Sequence, residues 1–378
     1  MEFSYDDEQN GLREAVSGLL ARAYADSEQR RAVVATDPGF DEKTWSRLAE
    51  MGVLGLPFAE ADGGMGAGPV EVSVVAEEIG RVLAPEPFVE AVVLAGGLVS
   101  DLGTDAQRAE VLGALAEGSL VPAFAHAETG TRWEPSARSV TATSDGGSWR
   151  LTGVKEPVPH GARADVLVVS AVVEGATRLF LVQGDAEGLT RTAHRNHDGT
   201  RSARVEFAGT PAAPLGEGTD DQTAAIEKAQ ARARVAYGHE ALGAMETALT
   251  TTAEYLRTRK QFGVTLNKFQ ALTFRAADMY VSLELARSTV MWATLVVDAD
   301  GDVVAAADRV RLQTSRASRH IGKEAIQLHG GIGVTAEYSV GHYTSRLTAI
   351  DHLLGDGDWA LARLAATVDQ HETVDPLG

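Results

Sequence analysis

Apolar residues recur at helical spacing through the first part of the chain. Leu12, Val16, Leu19 and Leu20 fall on one face, and Trp45, Leu48 and Ala49 on another before Gly52 closes that run. The pattern predicts an α-helical domain over residues 1–119. From 120 to 216 it shifts to short β-rich runs at 120–125, 139–143, 149–154, 166–173, 178–182 and 203–207, separated by turn formers such as Asp145-Gly146-Gly147 and Glu174-Gly175. These runs predict a middle β domain of sandwich or barrel type. From 217 to 378 helical periodicity returns, in segments at 222–258, 267–297, 303–329 and 350–368 that are longer than an average helix and carry apolar stripes such as Ala233, Tyr237, Leu249 and Leu256. Helices of this kind bury themselves against one another, which predicts a C-terminal four-helix bundle. The expected fold is α+β and multidomain, and residues 372–378 read as a frayed tail.

Charge narrows the possible partners. With 34 Lys and Arg against 53 Asp and Glu, the formal net charge is -19, which argues against nucleic acid or anionic lipid as the main ligand. Any polyanion must be met by a few local cations. Cysteine is absent, so disulfides, thiolate metal sites and cysteine nucleophiles are excluded. The start, Met1-Glu2-Phe3-Ser4-Tyr5-Asp6-Asp7-Glu8, is acidic where a signal peptide is basic, and no apolar run approaches the roughly 18 residues of a membrane span. The expectation is a cytoplasmic protein without membrane insertion. His126, His160, His194, His197 and His239 lack zinc-binding spacing, and no G-x-S-x-G marks a serine nucleophile. The stretch Asp62-Gly63-Gly64-Met65-Gly66-Ala67-Gly68 lacks the Lys-Ser/Thr of a phosphate loop and reads as a connection.

Several local motifs stand in a telling order. Glu50-Met51-Gly52-Val53-Leu54-Gly55-Leu56, Gly63-Gly64-Met65-Gly66 and Glu77-Glu78-Ile79-Gly80-Arg81 lie in the first segment. Arg259-Lys260-Gln261-Phe262-Gly263, Phe269-Gln270 and Ala277-Asp278-Met279 follow in the third, and Gln327-Leu328-His329-Gly330-Gly331-Ile332-Gly333 comes after them. Together they resemble the acyl-CoA dehydrogenase family over nearly the whole chain. The resemblance implies FAD as cofactor and an acyl-CoA thioester as substrate. In the implied reaction a carboxylate removes the α proton while a β hydride passes to the flavin, leaving a 2-enoyl-CoA.

The same resemblance exposes what this chain lacks. Most of the family carries its glutamate base before Gly-Thr beyond the G-G-x-G element, where an ungapped reading places Leu354-Gly355-Asp356. A second branch carries it on the first bundle helix directly before an arginine, here Ala233 before Arg234. Neither alanine nor leucine takes a proton. The family's first flavin loop corresponds to His126-Ala127-Glu128-Thr129-Gly130-Thr131-Arg132, shortened and altered, and its W-I-T strand to Lys155-Glu156-Pro157-Val158-Pro159-His160. Two prolines there remove two backbone donors. Retained are the elements that in the family reach a neighbouring subunit's flavin: Arg259, Gln261, Phe262, Gly263, Phe269 and Gln270, with Gln327, Gly330 and Gly331. Arginine pairs with phosphate bidentately, and glycine lets the backbone approach closely.

This combination is similar to the non-catalytic β subunit of actinobacterial α2β2 steroid side-chain acyl-CoA dehydrogenases, with FAD shared with a homologous catalytic partner. Two other readings stand beside it: an active homotetramer with a relocated base, Asp356 being the candidate, and a catalytically dead scaffold or binding protein. Arg234 is read either as a substrate contact or as a structural ion-pair partner. Asp351, Asp356 and Asp358 form a polar turn around Gly355 and Gly357.

Overall fold

Helices in the first segment begin where a side chain satisfies the free amides of the opening turn. Asp6 and Gln9 form a reciprocal capping box on α1 (Asp7–Ala23), whose Val16, Leu19 and Leu20 are buried. Asp26 caps α2 (Ser27–Ala35) and Asp41 caps α3 (Glu42–Glu50), which ends at Gly52 with φ 75°. The computed structural model describes residues 5–370, so the tail expected at 372–378 lies outside the described residues. The glycine-rich stretch is a connection, folded back by bonds from the Met65, Gly66 and Ala67 amides to the carbonyls of Gly55, Phe58 and Leu56. It leads into α4 (Pro69–Val82). A π-helical segment, Phe88–Gly96, then runs straight into α5 (Gly97–Leu102), and α6 (Asp105–Ala116) completes the unit.

The middle segment holds β1 (Pro122–Ala125), β2 (Thr141–Asp145), β3 (Ser148–Pro159), β4 (Val166–Val173), β5 (Ala176–Gln183), β6 (Leu189–Arg195) and β7 (Arg201–Pro214). Strands β4, β2, β3, β7 and β5 pair in turn, and β5 returns to β4, so the sheet closes on itself as a barrel. Inside it, Leu151, Val158, Leu167, Phe180, Val205 and Phe207 form a separate apolar core. The sequence reading missed β6, whose Thr, Arg and His residues lie on an open edge, and stopped β3 short of Pro159.

In the third segment α7 (Thr223–Thr258) is followed by a two-stranded hairpin, β8 (Lys260–Gln261) and β9 (Val264–Thr265). Then come α8 (Gln270–Asp298), α9 (Val303–His329), α10 (Val340–His352) and α11 (Gly357–Ala366). The helix expected at 350–368 is therefore two, broken at Leu353–Asp356. Leu353 and Leu354 continue the apolar pattern, but Leu354 at φ 58° and Gly355 at φ 113° turn the chain.

Two devices lock α4 onto α7. The first is close approach: a Cβ at Gly80 would lie 1.9 Å from the Glu240 carbonyl oxygen, and one at Gly243 would lie 2.0 Å from that of Glu77. Gly243→Ala is expected to destabilise the protein by about 2 kcal/mol through this backbone clash, read as a lowered denaturant midpoint at constant slope. The second is ionic. Arg81 reaches Glu77 (2.8 Å), Glu78 (3.0 Å) and Glu246 (2.9 Å), while Arg287 of α8 reaches Glu77 (3.2 Å) and Glu246 (2.7 Å). Burial pushes the Glu77 carboxyl up, but His239 and the two arginines outweigh it and hold it down at about 2.

A third cluster joins all three segments. Arg346 of α10 donates to Glu240 of α7 (2.6 Å) and to Asp198 in the β6–β7 turn (2.9 Å), while Arg30 of α2 donates to the Asp198 carbonyl (3.0 Å).

Candidate functional site

The family's donated elements converge at one end of the bundle. Helix α7 ends with Arg259 as its C-cap, and the turn that follows has Phe262 at φ 53° and Gly263 at φ 83°. Two successive left-handed residues suit a two-residue hairpin. Phe262 is 91% exposed and makes an edge contact with the Phe269 ring at 6.2 Å. Arg259, Gln261 and Gln270 are exposed, Phe269 is half-buried, and Arg259 forms no ion pair among the described residues. Gln327 is exposed near the end of α9, and Gly330 (φ 66°) and Gly331 follow it, also exposed. The two stretches meet because Tyr255, one turn before Arg259, stacks on His329 at 4.4 Å and donates to its carbonyl at 3.3 Å. Added Cβ atoms at Gly330 and Gly331 would touch nothing within this chain. Gly331 also lies outside the left-handed region, so neither internal packing nor its backbone angle requires glycine there. An open cation, exposed amides and bare glycine backbone fit the phosphate and adenosine end of a dinucleotide.

The chain's own cleft lies at the junction of the three segments, with a volume of about 430 Å³. Its walls include Phe124, Trp133, Pro157, Pro159 and Leu354. Ala233 sits on α7 between Gln230 and Tyr237, two lining residues at the spacing of one helix face. Neither family base position carries a proton acceptor into this space. Asp356 is the N-cap of α11, its carboxylate accepting from the Trp359 amide at 2.8 Å. Arg234 is buried away from the cleft, donating to Asp308 at 2.7 Å with its guanidinium 4.9 Å from the Trp359 ring centroid.

The flavin-ring segments are tied to each other. The Lys155 ammonium, fully buried, donates to the His126 carbonyl (2.9 Å), the Glu128 carboxylate (2.6 Å) and the Ser170 hydroxyl (2.9 Å). Glu128 also accepts from the amide and hydroxyl of Ser139, both at 2.6 Å, and the Glu156 amide donates to the Ala127 carbonyl at 2.8 Å. Burial pulls Lys155 down to about 8. Burial pushes Glu128 up, but Lys155 and Ser139 outweigh it and hold it at about 2. The pair is thus ionised at neutral pH. His126 is pulled down to about 4, first by burial and then by Lys155, so it is neutral. With the Lys155 ammonium and the Glu156 amide spent on the loop and no backbone donor at Pro157 or Pro159, this strand does not fit a flavin ring.

Sequence reasoning missed three polar residues of the cleft, one of them the exposed His352 at the end of α10. Glu90 lies on the π-helical segment and Gln230 on α7, 8% and 5% exposed respectively. A lone carboxylate within the apolar run Phe88–Gly96 was the signal available. A smaller cavity of about 250 Å³ between α4, α7 and α8 has a rim already paired internally, Lys228 with Asp300 and Arg232 with Asp101. Among the described residues no group of three or more His, Asp or Glu is placed to hold a metal ion, and no helix is long and apolar enough to cross a membrane.

Comparison with known proteins agrees with this geometry. Residues 6–119 match the acyl-CoA dehydrogenase N-terminal domain and residues 223–368 its C-terminal domain. The chain is 30% identical over 370 residues to the acyl-CoA dehydrogenase IpdE2 of Mycobacterium tuberculosis, covering 96% of this chain and 98% of that protein. It superimposes on a variant of the Tcur3481–Tcur3483 steroid ACAD with a TM-score of 0.88 at 31% identity, covering 96% of this chain and 98% of that one. On the ChsE4–ChsE5 complex of M. tuberculosis the TM-score is 0.89 at 26% identity, covering 99% and 100%. Built of the family's helical domain, β barrel and helical bundle, the chain belongs to the acyl-CoA dehydrogenase family.

Proposed function

We propose that this chain is the non-catalytic subunit of an FAD-dependent acyl-CoA dehydrogenase, paired with a homologous catalytic chain that supplies the base and the flavin-ring pocket. The observation that carries this reading is the separation of two half-sites. Ala233 marks the chain's own cleft and Arg259 the donor cluster, and they lie on one helix roughly 39 Å apart at helical rise. No single dinucleotide spans that distance, so the two regions address different flavins. The cleft lacks a base and the fit for a ring, whereas the donor cluster is open and fits the phosphate end.

When bound, FAD would supply the hydride acceptor. This chain's residues would bind and orient it: Arg259 would pair with phosphate, and the Gly330-Gly331 backbone would allow close approach. The catalytic partner's carboxylate removes the α proton, leaving a 2-enoyl-CoA. The likeness to structures described as a steroid ACAD and as a two-protein complex supports a heteromer acting on a steroid side-chain CoA thioester.

Expressing this chain alone, and together with a homologous dehydrogenase chain that carries a glutamate at one of the family base positions, tests the reading. Flavin absorbance and acyl-CoA-dependent dye reduction are expected only from the pair, with one flavin per two chains. Full flavin and turnover by the lone chain would mean an active homomer. Their absence from every pairing tried would favour a scaffold.

A further inference from the structure

The cleft that does not fit a flavin ring is nevertheless built like a binding site. Its volume, about 430 Å³, falls in the range of small-molecule pockets, and its walls are mainly apolar. Three of its wall segments adopt uncommon backbones. Glu90 and Leu94 come from a π-helix, a form found mostly at functional sites. Arg132 (φ 49°) and Leu354 (φ 58°) are non-glycine residues in the left-handed region, a strained conformation that the surrounding fold sustains.

His126 and Glu128 in the cleft wall are already hydrogen-bonded within the protein, but not every polar group there is. The Gln230 amide, in a residue only 5% exposed, makes no hydrogen bond among the described residues. The Glu90 carboxylate lies beside the buried Tyr237 hydroxyl. A cationic ligand would lose its own hydration on entering this mainly apolar space. An anionic ligand would face Glu90, Glu128 and Glu156 together, with the exposed Arg132 and His352 as the basic groups beside them. The Tyr237 hydroxyl, the Gln230 amide and the Glu90 carboxylate together suit a neutral group that both donates and accepts.

We propose that the cleft binds a neutral, apolar molecule carrying a hydroxyl group, with the hydroxyl donating to Glu90 and accepting from the Gln230 amide and the apolar body lying against Leu94, Phe124 and Trp133. This rests on the reading that no flavin ring occupies the cleft of this chain. The subunit is then a ligand-binding partner as well as a donor of cofactor contacts.

Fluorescent probes test the site directly on the full chain, alone and paired with its catalytic partner. 1-Pyrenebutanol is expected to bind saturably, about tenfold more tightly than its methyl ether, because only the alcohol donates to a buried carboxylate. 1-Pyrenebutanoate should bind more weakly than either. Glu90→Leu should bring the alcohol down to the level of the ether, Glu90→Gln should keep part of the preference, and Leu94→Trp should exclude all three probes. The unfolding midpoint of each variant shows whether it is folded. No saturable alcohol binding, equal affinity for alcohol and ether, or binding that survives in a folded Leu94→Trp variant would overturn the assignment. Flavin absorbance in the same samples separates the two readings. Flavin carried by the lone chain and displaced by the alcohol would overturn the partner role, whereas absent probe binding to a flavin-free lone chain would overturn only the ligand site.

Discussion

Arg346→Met is expected to destabilise the folded chain by about 3–5 kcal/mol, because it strips the shared cation from two buried carboxylates. Glu240 and Asp198 are 2% and 5% exposed, and Arg346 donates to both, at 2.6 and 2.9 Å. Burial alone pushes both carboxyls up. Beside Arg346 the Asp198 carboxyl is nevertheless held below its ordinary value, while Glu240 stays raised. The sign of the pH dependence follows. In the parent chain the contribution of Asp198 is present above its unfolded pKa and is lost as pH falls through its lower folded value. In Arg346→Met both folded values rise above the unfolded ones, so the deficit is greatest at neutral pH and shrinks as acid protonates the pair. Denaturant unfolding at neutral and mildly acidic pH checks this, and a deficit independent of pH would show that lost packing, not charge, is responsible. The effect should reach beyond stability. The cluster joins α7, α10 and the β6–β7 turn, and α7 and the end of α10 line the cleft.

How much of this was legible in the chain depends on the range of the interaction. Helix α9 spans the 303–329 read from periodicity, and α7 differs from its expected bounds by one residue, because long amphipathic helices repeat their signal many times. Strand β6 escaped because Leu189–Arg195 is a polar, mostly exposed edge whose apolar residues are only Leu189 and Ala193. The break between α10 and α11 escaped because Leu353 and Leu354 continue an apolar run, although Gly355 was the visible warning. The altered flavin loop and strand were legible as departures from a family pattern. What fills their place was not: Lys155 and Glu128 stand 27 residues apart, and nothing local to either predicts that they meet in the barrel wall. Glu90 and Gln230 were missed for a related reason. A single polar residue on an apolar helix does not reveal whether it faces a partner, solvent or an internal space.

The donor cluster leads to the second large effect. In the assembled pair, Arg259→Ala is expected to weaken flavin retention about a hundredfold, the loss of one bidentate, charge-assisted pair with phosphate. Arg259 forms no ion pair among the described residues and caps α7 through its backbone, so its side chain can be removed without uncovering a buried charge. Chain folding and pairing should survive unchanged. Arg259→Lys should recover only part of the affinity, since an ammonium restores charge but not the planar fork. The deficit of Arg259→Ala should narrow as salt rises, because with a chain of net charge -19 the attraction for a polyanion is local rather than global. Flavin fluorescence released on dilution of the pair measures all three. Equal retention in parent and Arg259→Ala pairs would remove the donated contact from the mechanism. The contrast with the cleft makes the result diagnostic. Leu94→Trp fills a space whose lining on α7 comes no nearer to Arg259 than Tyr237, roughly 33 Å away at helical rise, and should leave flavin retention by the pair intact. A pair that loses flavin through Arg259→Ala and keeps it through Leu94→Trp holds its cofactor at the exposed end of this chain's bundle, not in this chain's own cleft.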